Sequence, residues 1–176
     1  NPALQFSGKE ADFVTYILKD QPAPPKYFAV MKHLNKADRP LLVEVPKLAE
    51  LNQKEIDNAI KNGLIVIDAR PKAVSSQGFI SGSFLIENMK TFSTFAGSIV
   101  DYQNQIILIA EENQIEDLMR KLMRIGMDNI YGYITNPSEQ NLALQNVKTI
   151  DIDTFKSYLG NKNVQKIDVR TENEYK

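Results

Sequence analysis

The residues of this chain that could do chemistry begin with two adjacent carboxylates. Glu111 and Glu112, followed by Asn113, come directly after an apolar run at 105–110. Such a run predicts a buried strand, and a nucleophilic loop could follow it. The sequence contains no Cys, and His33 is its single histidine. The chain therefore offers no thiolate nucleophile, no disulfide and no thiolate metal site.

The carboxylates allow a catalytic and a structural interpretation. Glu111 and Glu112 could form an acid pair or bind a metal, but adjacent carboxylates at a helix start mostly interact with the helix dipole. Asn113 and Glu116 have the spacing of a capping box, which predicts a helix start here. His33 is interpreted as a surface residue, because a metal site needs further ligands.

An Asp-x-Arg pattern occurs twice. Asp68 and Arg70 end the apolar run at 64–68, and Asp168 and Arg170 end a similar run at 164–169. Side chains of opposite charge at this spacing predict an ion pair that stabilises the fold rather than one that catalyses a reaction. Two copies in similar surroundings indicate an internal repeat.

The spacing of apolar residues predicts alternating strands and helices between residues 42 and 146. Strands are predicted at 42–45, 64–68, 84–86, 106–109 and 130–134. Helices are predicted from Pro46 to Asn62, over 91–100 with Phe92, Phe95 and Ile99 facing inward, and over 115–123. Short loops between such elements favour an α/β domain with a largely parallel central sheet flanked by helices.

Two shorter regions flank this domain. Residues 1–41 are predicted to form a helical lead-in, whose first helix begins with a capping box of Ser7 and Glu10. Residues 147–176 are predicted to be the N-terminal part of a second copy, with strands over 149–152 and 164–169 and a helix capped by Asp153. The chain as a whole is interpreted as a fragment of a longer protein.

The apolar segment at 164–169 generates a separate expectation. No residues of the second copy follow that could cover it. We therefore expect it to pack on the first domain or to pair with another chain, since open strand edges invite association. A homo-oligomer is the corresponding partner prediction.

Composition excludes several classes of partner. Among 176 residues, 43% are hydrophobic and 24% are charged, with a net charge of −1, so there is no basic field for nucleic acid or anionic membranes. No apolar stretch approaches the roughly 20 residues that span a bilayer, and no signal peptide is recognisable. These absences predict a cytoplasmic protein with no nucleic-acid and no membrane partner.

These features together resemble tandem rhodanese-like domains of the sulfurtransferase superfamily. Besides Asp68-x-Arg70, residues 78–83 (Gly-Phe-Ile-Ser-Gly-Ser) are similar to the family's Gly-His-Ile-x-Gly-Ala, and residues 125–131 to its Leu-Gly turn and strand. Active members carry a loop Cys-x-x-Gly-x-Arg after the strand at 106–109. The resemblance implies that Ala110, Glu111, Glu112 and Asn113 are the degenerate form of that loop and that this domain has no catalytic residue.

The lead-in resembles the junction that follows a metallo-β-lactamase-fold domain in fusion proteins of the persulfide dioxygenase type. Its similar segments lie at 1–4, 13–14, 21–28 and 31–32. The resemblance implies an absent upstream domain as a partner, with iron or zinc bound there by His-rich motifs. It implies no cofactor within this chain.

Three hypotheses follow. In the first, the chain is a non-catalytic rhodanese-like module of such a fusion protein in sulfur metabolism. The parent protein would be a hydrolase or sulfur dioxygenase, and this fragment would not itself be an enzyme. The second is part of a sulfurtransferase whose catalytic Cys lies beyond Lys176. The third is a stand-alone protein-binding module that uses the surface near Glu111, Glu112 and the loop at 75–83.

Overall fold

The computed structural model describes residues 6–19, 21, 24–170 and 172–175. Residues 1–5, 22 and 23, which carry part of the lead-in resemblance, lie outside them. The helices are α1 Glu10–Leu18, α2 Tyr27–Leu34, α3 Gln53–Lys61, α4 Lys72–Ser75, α5 Phe92–Ile99, α6 Glu112–Met123, α7 Ile152–Tyr158 and α8 Glu172–Tyr175. The strands are β1 Ile65–Asp68, β2 Phe79–Ile80, β3 Phe84–Leu85, β4 Ile106–Ile109, β5 Ile130–Ile134 and β6 Leu144–Gln145.

The centre of the fold is a parallel sheet with the strand order β3-β1-β4-β5. Asp68, the last residue of β1, lies opposite Leu85 of β3 and Ile109 of β4, so the carboxyl ends of these strands meet at one edge. A parallel bridge between Glu50 and Tyr133 extends the sheet beyond β5. The short strands β2 and β6 form a separate antiparallel pair. The predicted α/β class with a parallel sheet and flanking helices is confirmed.

Strand β4 forms the middle of the core. All four of its side chains are buried, and they alternate between the two faces of the sheet. Ile106 and Leu108 join a cluster with buried side chains of α5 and α6, whereas Ile107 and Ile109 join a cluster with those of α3. Burial on both faces explains why this strand reads as an uninterrupted apolar run.

Helix α6 confirms the amphipathic pattern predicted for it. Ile115, Leu118, Met119 and Leu122 are buried against the sheet. On the outer side, the ion pairs Glu116–Arg120 and Asp117–Lys121 have N–O distances of 2.6 and 2.8 Å. Helix α6 therefore supplies most of the apolar cover on one face of the sheet.

The predicted strand at 42–45 is wrong. These residues form no strand, and the Val43 side chain is 96% exposed. The sheet edge beside β5 is instead taken by residues 49–51, where the Leu51 amide donates to the Tyr133 carbonyl at 2.9 Å. The apolar composition of residues 42–45 predicted a strand there, but residues 49–51 are the ones that pair with Tyr133 of β5.

The helix predicted from Pro46 begins later, at Gln53. Asn52 caps it, because its side chain accepts a bond from the Glu55 amide at 3.1 Å and the Glu55 carboxylate accepts one from the Asn52 amide at 2.9 Å. This reciprocal pair fixes the helix start. The predicted end at Asn62 and Gly63 is confirmed, with Gly63 in the left-handed region at φ 76°.

Helix α5 forms where it was predicted, but its inward face differs. Phe92 is fully buried as expected, whereas Phe95 and Ile99 are about half exposed, at 51% and 50%. Ala96 and Gly97 are buried in their place. A Cβ atom at Gly97 would lie 2.8 Å from the Tyr27 ring, so the close approach of α2 requires a residue without a side chain.

The flanking regions depart from the predictions at their helix starts. Helix α1 is preceded by Lys9 and has no side-chain cap bond, so the Ser7–Glu10 capping box is wrong. Helix α7 is capped by Asp151, which accepts from the Thr154 amide at 2.7 Å, rather than by Asp153. Asp153 instead pairs with Lys156.

The strands predicted for the second copy are absent from the described residues. Neither 149–152 nor 164–169 pairs into a sheet, and Ile167 and Val169 are 72% and 92% exposed. The expectation that 164–169 packs on the first domain is therefore wrong. Any residues that pair with this segment would have to lie outside the described part of the chain. Within the described part of the chain, no helix is long and apolar enough to cross a membrane.

Two valine substitutions test whether the segment at 42–45 lies outside the sheet. We expect Val66→Ala, in buried β1, to lower the free energy of unfolding by about 2 kcal/mol through the cavity it leaves. Val43→Ala should change it by less than about 0.5 kcal/mol, because Val43 contacts mostly solvent. Urea unfolding followed by circular dichroism measures both, and a large loss in the Val43 variant would contradict the structure.

Candidate functional site

The segment at 110–113, which we call the degenerate loop after the role predicted for it, lies at the carboxyl edge of the parallel sheet, between the ends of β1 and β5. The Ala69 amide donates to the Ile109 carbonyl at 2.8 Å, and the Ala110 amide donates to the Ile134 carbonyl at 3.2 Å. The backbone ladder thus continues past the strand ends, and Ala110 is fully buried. Of the two positions at which the resemblance could place a nucleophile, Ala110 is therefore part of the core, whereas Glu111 is exposed.

The connection between β4 and α6 consists of Ala110 and Glu111 alone. Glu111 has an extended backbone, with φ −64° and ψ 145°, and its carbonyl accepts from the Gln114 amide at 2.9 Å. The pattern Cys-x-x-Gly-x-Arg is longer than this connection. A cradle for an anion needs several successive amide groups that converge on one point, and this connection itself contributes only two.

The capping box predicted from Asn113 and Glu116 is wrong. Helix α6 begins at Glu112, so Asn113 lies inside the first turn, and no side-chain bond caps the helix. The Glu116 carboxylate accepts instead from Arg120, at 2.9 Å from Nε and 2.6 Å from Nη2. The N-cap therefore lies two residues earlier than predicted, at Glu111, because the short connection brings the helix start close to the strand end.

The exposed surface at Glu111, Glu112 and Asn113, which we call the mouth, carries negative potential. Glu111, Glu112 and Asn113 are all exposed. Burial raises the pKa of the Tyr133 phenol, and the nearby carboxylates of Glu112 and Glu50 raise this pKa further. The same field would repel thiosulfate or a persulfide anion, so the electrostatics oppose sulfur transfer here.

A groove of about 520 Å³ adjoins the mouth. Its charged lining includes Glu112, Glu116, Lys47 and Arg120, with Tyr133 in one wall. Both signs of charge are present, and Arg120 is already paired with Glu116. Across the residues that the structure describes, no group of three or more His, Asp or Glu side chains is placed to hold a metal ion.

A polar network ties the end of β1 to the side of α6. The Asn88 amide donates to the Ala69 carbonyl at 3.0 Å, and the Asn88 side chain accepts from Lys121 Nζ at 2.6 Å. Lys121 also pairs with Asp117, and this hydrogen bond is the largest of the causes that lower the Asp117 pKa. Sequence spacing predicts the pair of Asp117 and Lys121, but Asn88 joins them only through tertiary structure.

The first Asp-x-Arg pair is buried. Asp68 Oδ1 accepts from Arg70 Nε at 2.9 Å, and Asp68 Oδ2 accepts from Arg70 Nη2 at 2.6 Å. The same Nη2 donates to the Gly78 carbonyl at 2.7 Å, which fastens the loop after β1. Asp68 is fully buried and Arg70 nearly so. The pair is therefore a buried clamp, and its stabilising role stays a prediction.

The second pair repeats the local geometry in an exposed setting. Arg170 Nε and Nη2 donate to Asp168 at 3.0 and 2.6 Å, and the Arg170 amide donates to Asp168 at 3.0 Å. These bonds lower the Asp168 pKa, and the side chains are 40% and 53% exposed. The Asp-x-Arg sequence thus forms the same clamp without a surrounding core.

Comparisons with known proteins relate the chain to two solved structures. One is a crystal structure of a metallo-beta-lactamase from Staphylococcus aureus subsp. aureus COL, with 28% identity, a TM-score of 0.62, and coverage of 73% of this chain and 35% of that one. The other is a solution structure of a rhodanese-like domain from Anabaena sp., with 12% identity, a TM-score of 0.48, and coverage of 69% and 89%. This chain spans about a third of the length of the staphylococcal protein. No protein-family model and no curated protein matches it.

The two clamps provide a matched test of the structural role of the pair. We expect Arg70→Ala to lower the free energy of unfolding by about 3 kcal/mol or more, because it leaves the Asp68 carboxylate buried without its cation. Arg170→Ala should leave the free energy of unfolding almost unchanged, since water replaces the lost partner. Chemical denaturation measures the free energy of unfolding of both variants. Equal losses would contradict the expectation that the buried pair contributes more to stability than the exposed pair.

Proposed function

We propose that this chain is a non-catalytic rhodanese-like module of a metallo-β-lactamase-fold fusion protein. The observation that carries the proposal is the two-residue connection of Ala110 and Glu111, which stands where an active domain of that type would hold its Cys loop. Ala110 is buried, and the two residues that follow it, Glu111 and Glu112, are carboxylates. A thiol nucleophile is missing from this site, and its two carboxylates disfavour an anionic substrate.

The likeness to the staphylococcal structure supports a link to a metallo-beta-lactamase, and the fusion itself is our proposal. The match covers most of this chain but only 35% of the other protein. A catalytic zinc site needs about three protein ligands, usually including His. This chain has a single His, and its described residues form no metal cluster. We therefore assign the matched third to an accessory domain and expect iron or zinc only in an upstream domain.

The proposed role of the module is to position that upstream domain. A buried core on both faces of the sheet and the Asp68–Arg70 clamp make the domain a stiff spacer. Helix α2 packs on the same core through Tyr27 and Met31, so this helix of the lead-in is attached to the domain. A persulfide dioxygenase or hydrolase of sulfur metabolism is the parent enzyme we propose, and this domain performs none of its chemistry.

A second candidate is favoured by the Asp168–Arg170 clamp. Its bonds repeat those of Asp68–Arg70, which supports a second rhodanese-like copy that begins after residue 147. In this alternative the catalytic Cys lies beyond Lys176, and the chain is part of a sulfurtransferase. The two candidates agree on residues 42–146 and differ only in what the second copy does.

Sequencing the open reading frame on both sides of Asn1–Lys176 separates these candidates. We expect an upstream His-x-His-x-Asp-His motif, which would place metal ligands before the lead-in. A downstream Cys loop would add the sulfurtransferase activity of the second candidate. A frame that begins near Asn1 and encodes no later Cys would contradict both and favour a stand-alone binding module.

Restoring a thiol to the degenerate loop tests the proposed inactivity. We expect Glu111→Cys to transfer no sulfur from thiosulfate to cyanide above background, because the thiolate would lack an amide cradle and would face Glu112. Release of sulfite and formation of thiocyanate are the measured products. Ser138→Cys, an exposed thiol elsewhere, is the control for non-specific reactivity. A rate for the Glu111 variant at least about tenfold above this control would show that the site retains catalytic power.

A further inference from the structure

The groove that adjoins the mouth is bounded by a helix on one side and by an irregular segment on the other. We call it the α6 groove, and its volume is about 520 Å³. One wall is the face of α6 from Glu112 to Arg120, and the other wall is residues 44–48. Eight helical steps of about 1.5 Å make the first wall about 12 Å long, which is the span of three to four extended residues. The groove therefore has the length of a short peptide.

Tyr133 also lines this groove, and it carries an unused hydrogen-bonding group. The residue is 8% exposed, and its backbone is bonded on both sides, to the Ala49 carbonyl at 3.1 Å and to the Leu51 amide at 2.9 Å. Its hydroxyl is not enclosed, and no residue within the described part of the chain forms a hydrogen bond with it. A tyrosine this deeply buried normally has a hydrogen-bond partner. A ligand in the groove would supply that partner.

Two carboxylates near this phenol favour a positively charged ligand. The carboxylates of Glu112 and Glu50 both add to the rise in the pKa of Tyr133, so their charges act at its hydroxyl. Glu111 of the mouth adds a third exposed carboxylate directly before α6. A cation in the groove would meet this negative field at the point where the hydroxyl offers an acceptor.

The other charges that line the α6 groove nearly cancel. Arg120 is bonded to Glu116 with an N–O distance of 2.6 Å, so these two charges offset each other. Glu44 and Lys47 contribute one charge of each sign to the opposite wall. The groove therefore has an excess of negative charge, which comes from the carboxylates beside Tyr133.

Apolar side chains in both walls suit the stem of a long basic side chain. Val45 and Leu48 are partly buried against the core, and Ile115 and Met119 of α6 are buried. Arginine and lysine lay their stems along such surfaces and keep the charged head with polar partners. A guanidinium presents five donors in a planar fork, so it can bond to a carboxylate and a phenol oxygen at once, whereas an ammonium acts as a point charge.

We propose that the α6 groove binds an arginine-containing segment of a partner protein, with the guanidinium between the Glu112 carboxylate and the Tyr133 hydroxyl. This binding goes beyond the proposed function, because it does not depend on whether the chain belongs to a fusion protein. A tripeptide with one anchored side chain should bind weakly, with a dissociation constant on the order of 1 mM.

Titration of the full 176-residue chain with acetyl-Ala-Arg-Ala-amide tests the ligand class. Amide NMR shifts should saturate at residues 112–120 and at Tyr133. The same peptide with citrulline in place of arginine keeps the shape and loses the charge, so it should bind at least about tenfold more weakly. Butylguanidine, which has the head and stem without a peptide, should bind at least about threefold more weakly. Equal affinity for the citrulline peptide, or for butylguanidine, would overturn the proposal.

Three charge variants locate the site. Glu112→Gln should weaken binding of the arginine peptide at least about fivefold, and Lys47→Gln should strengthen it about twofold by removing a like charge. Glu87→Gln is the matched control and should change nothing, because Glu87 lines a separate groove beside α5, at the other edge of the sheet. Equal effects of Glu112→Gln and Glu87→Gln would overturn the assignment to this groove.

Tyr133→Phe separates binding from folding. It removes a hydroxyl that has no partner in the described chain, so the free energy of unfolding measured in urea should stay the same or rise. Affinity for the arginine peptide should nevertheless fall at least about threefold, because the guanidinium loses one acceptor. A stable variant with unchanged affinity would contradict the proposed contact.

The salt dependence of binding gives an independent check. Raising the ionic strength from about 0.02 to 0.2 M shortens the screening length about threefold and should weaken binding of the arginine peptide at least about threefold. Binding of the citrulline peptide should change little. A salt-insensitive affinity for the arginine peptide would exclude charge complementarity as its cause.

Discussion

The structure depends first on the buried ion pair between Asp68 and Arg70. Asp68 ends β1, directly beside β4 in the middle of the sheet, and a carboxylate at this depth is stable only with a cation and full hydrogen bonding. Arg70 supplies both, and its remaining bond to the Gly78 carbonyl sets the path of the loop that leads to β2. The carboxyl edge of the sheet is therefore arranged around this pair.

That edge is closed where the degenerate loop lies. Ala110 completes the core, Glu111 leads at once into α6, and Asn88 bridges the end of β1 to Lys121. Each interaction favours a rigid edge over an open pocket. The residues of this connection serve packing and helix initiation.

The two grooves differ in character. The one beside Glu112 mixes carboxylates with Lys47 and Arg120, whereas the groove beside α5 exposes more apolar area, from side chains such as Phe95 and Ile99. Charged groups in a wet groove contribute mainly to selectivity, while apolar area removed from water supplies affinity.

Features that depend on near neighbours were determined by the sequence alone. The four apolar residues of β4, the stripe of α6, and the Asp-x-Arg clamp at residues 68–70 and again at 168–170 need only local spacing. Tertiary structure decided the rest. The exposure of residues 42–45, the outward turn of α5, the place of Asn88 and the solvent contact of residues 164–169 depend on partners far away in the chain. Apolar periodicity shows which residues prefer burial, but the shape of the neighbouring elements decides which of them reach the core.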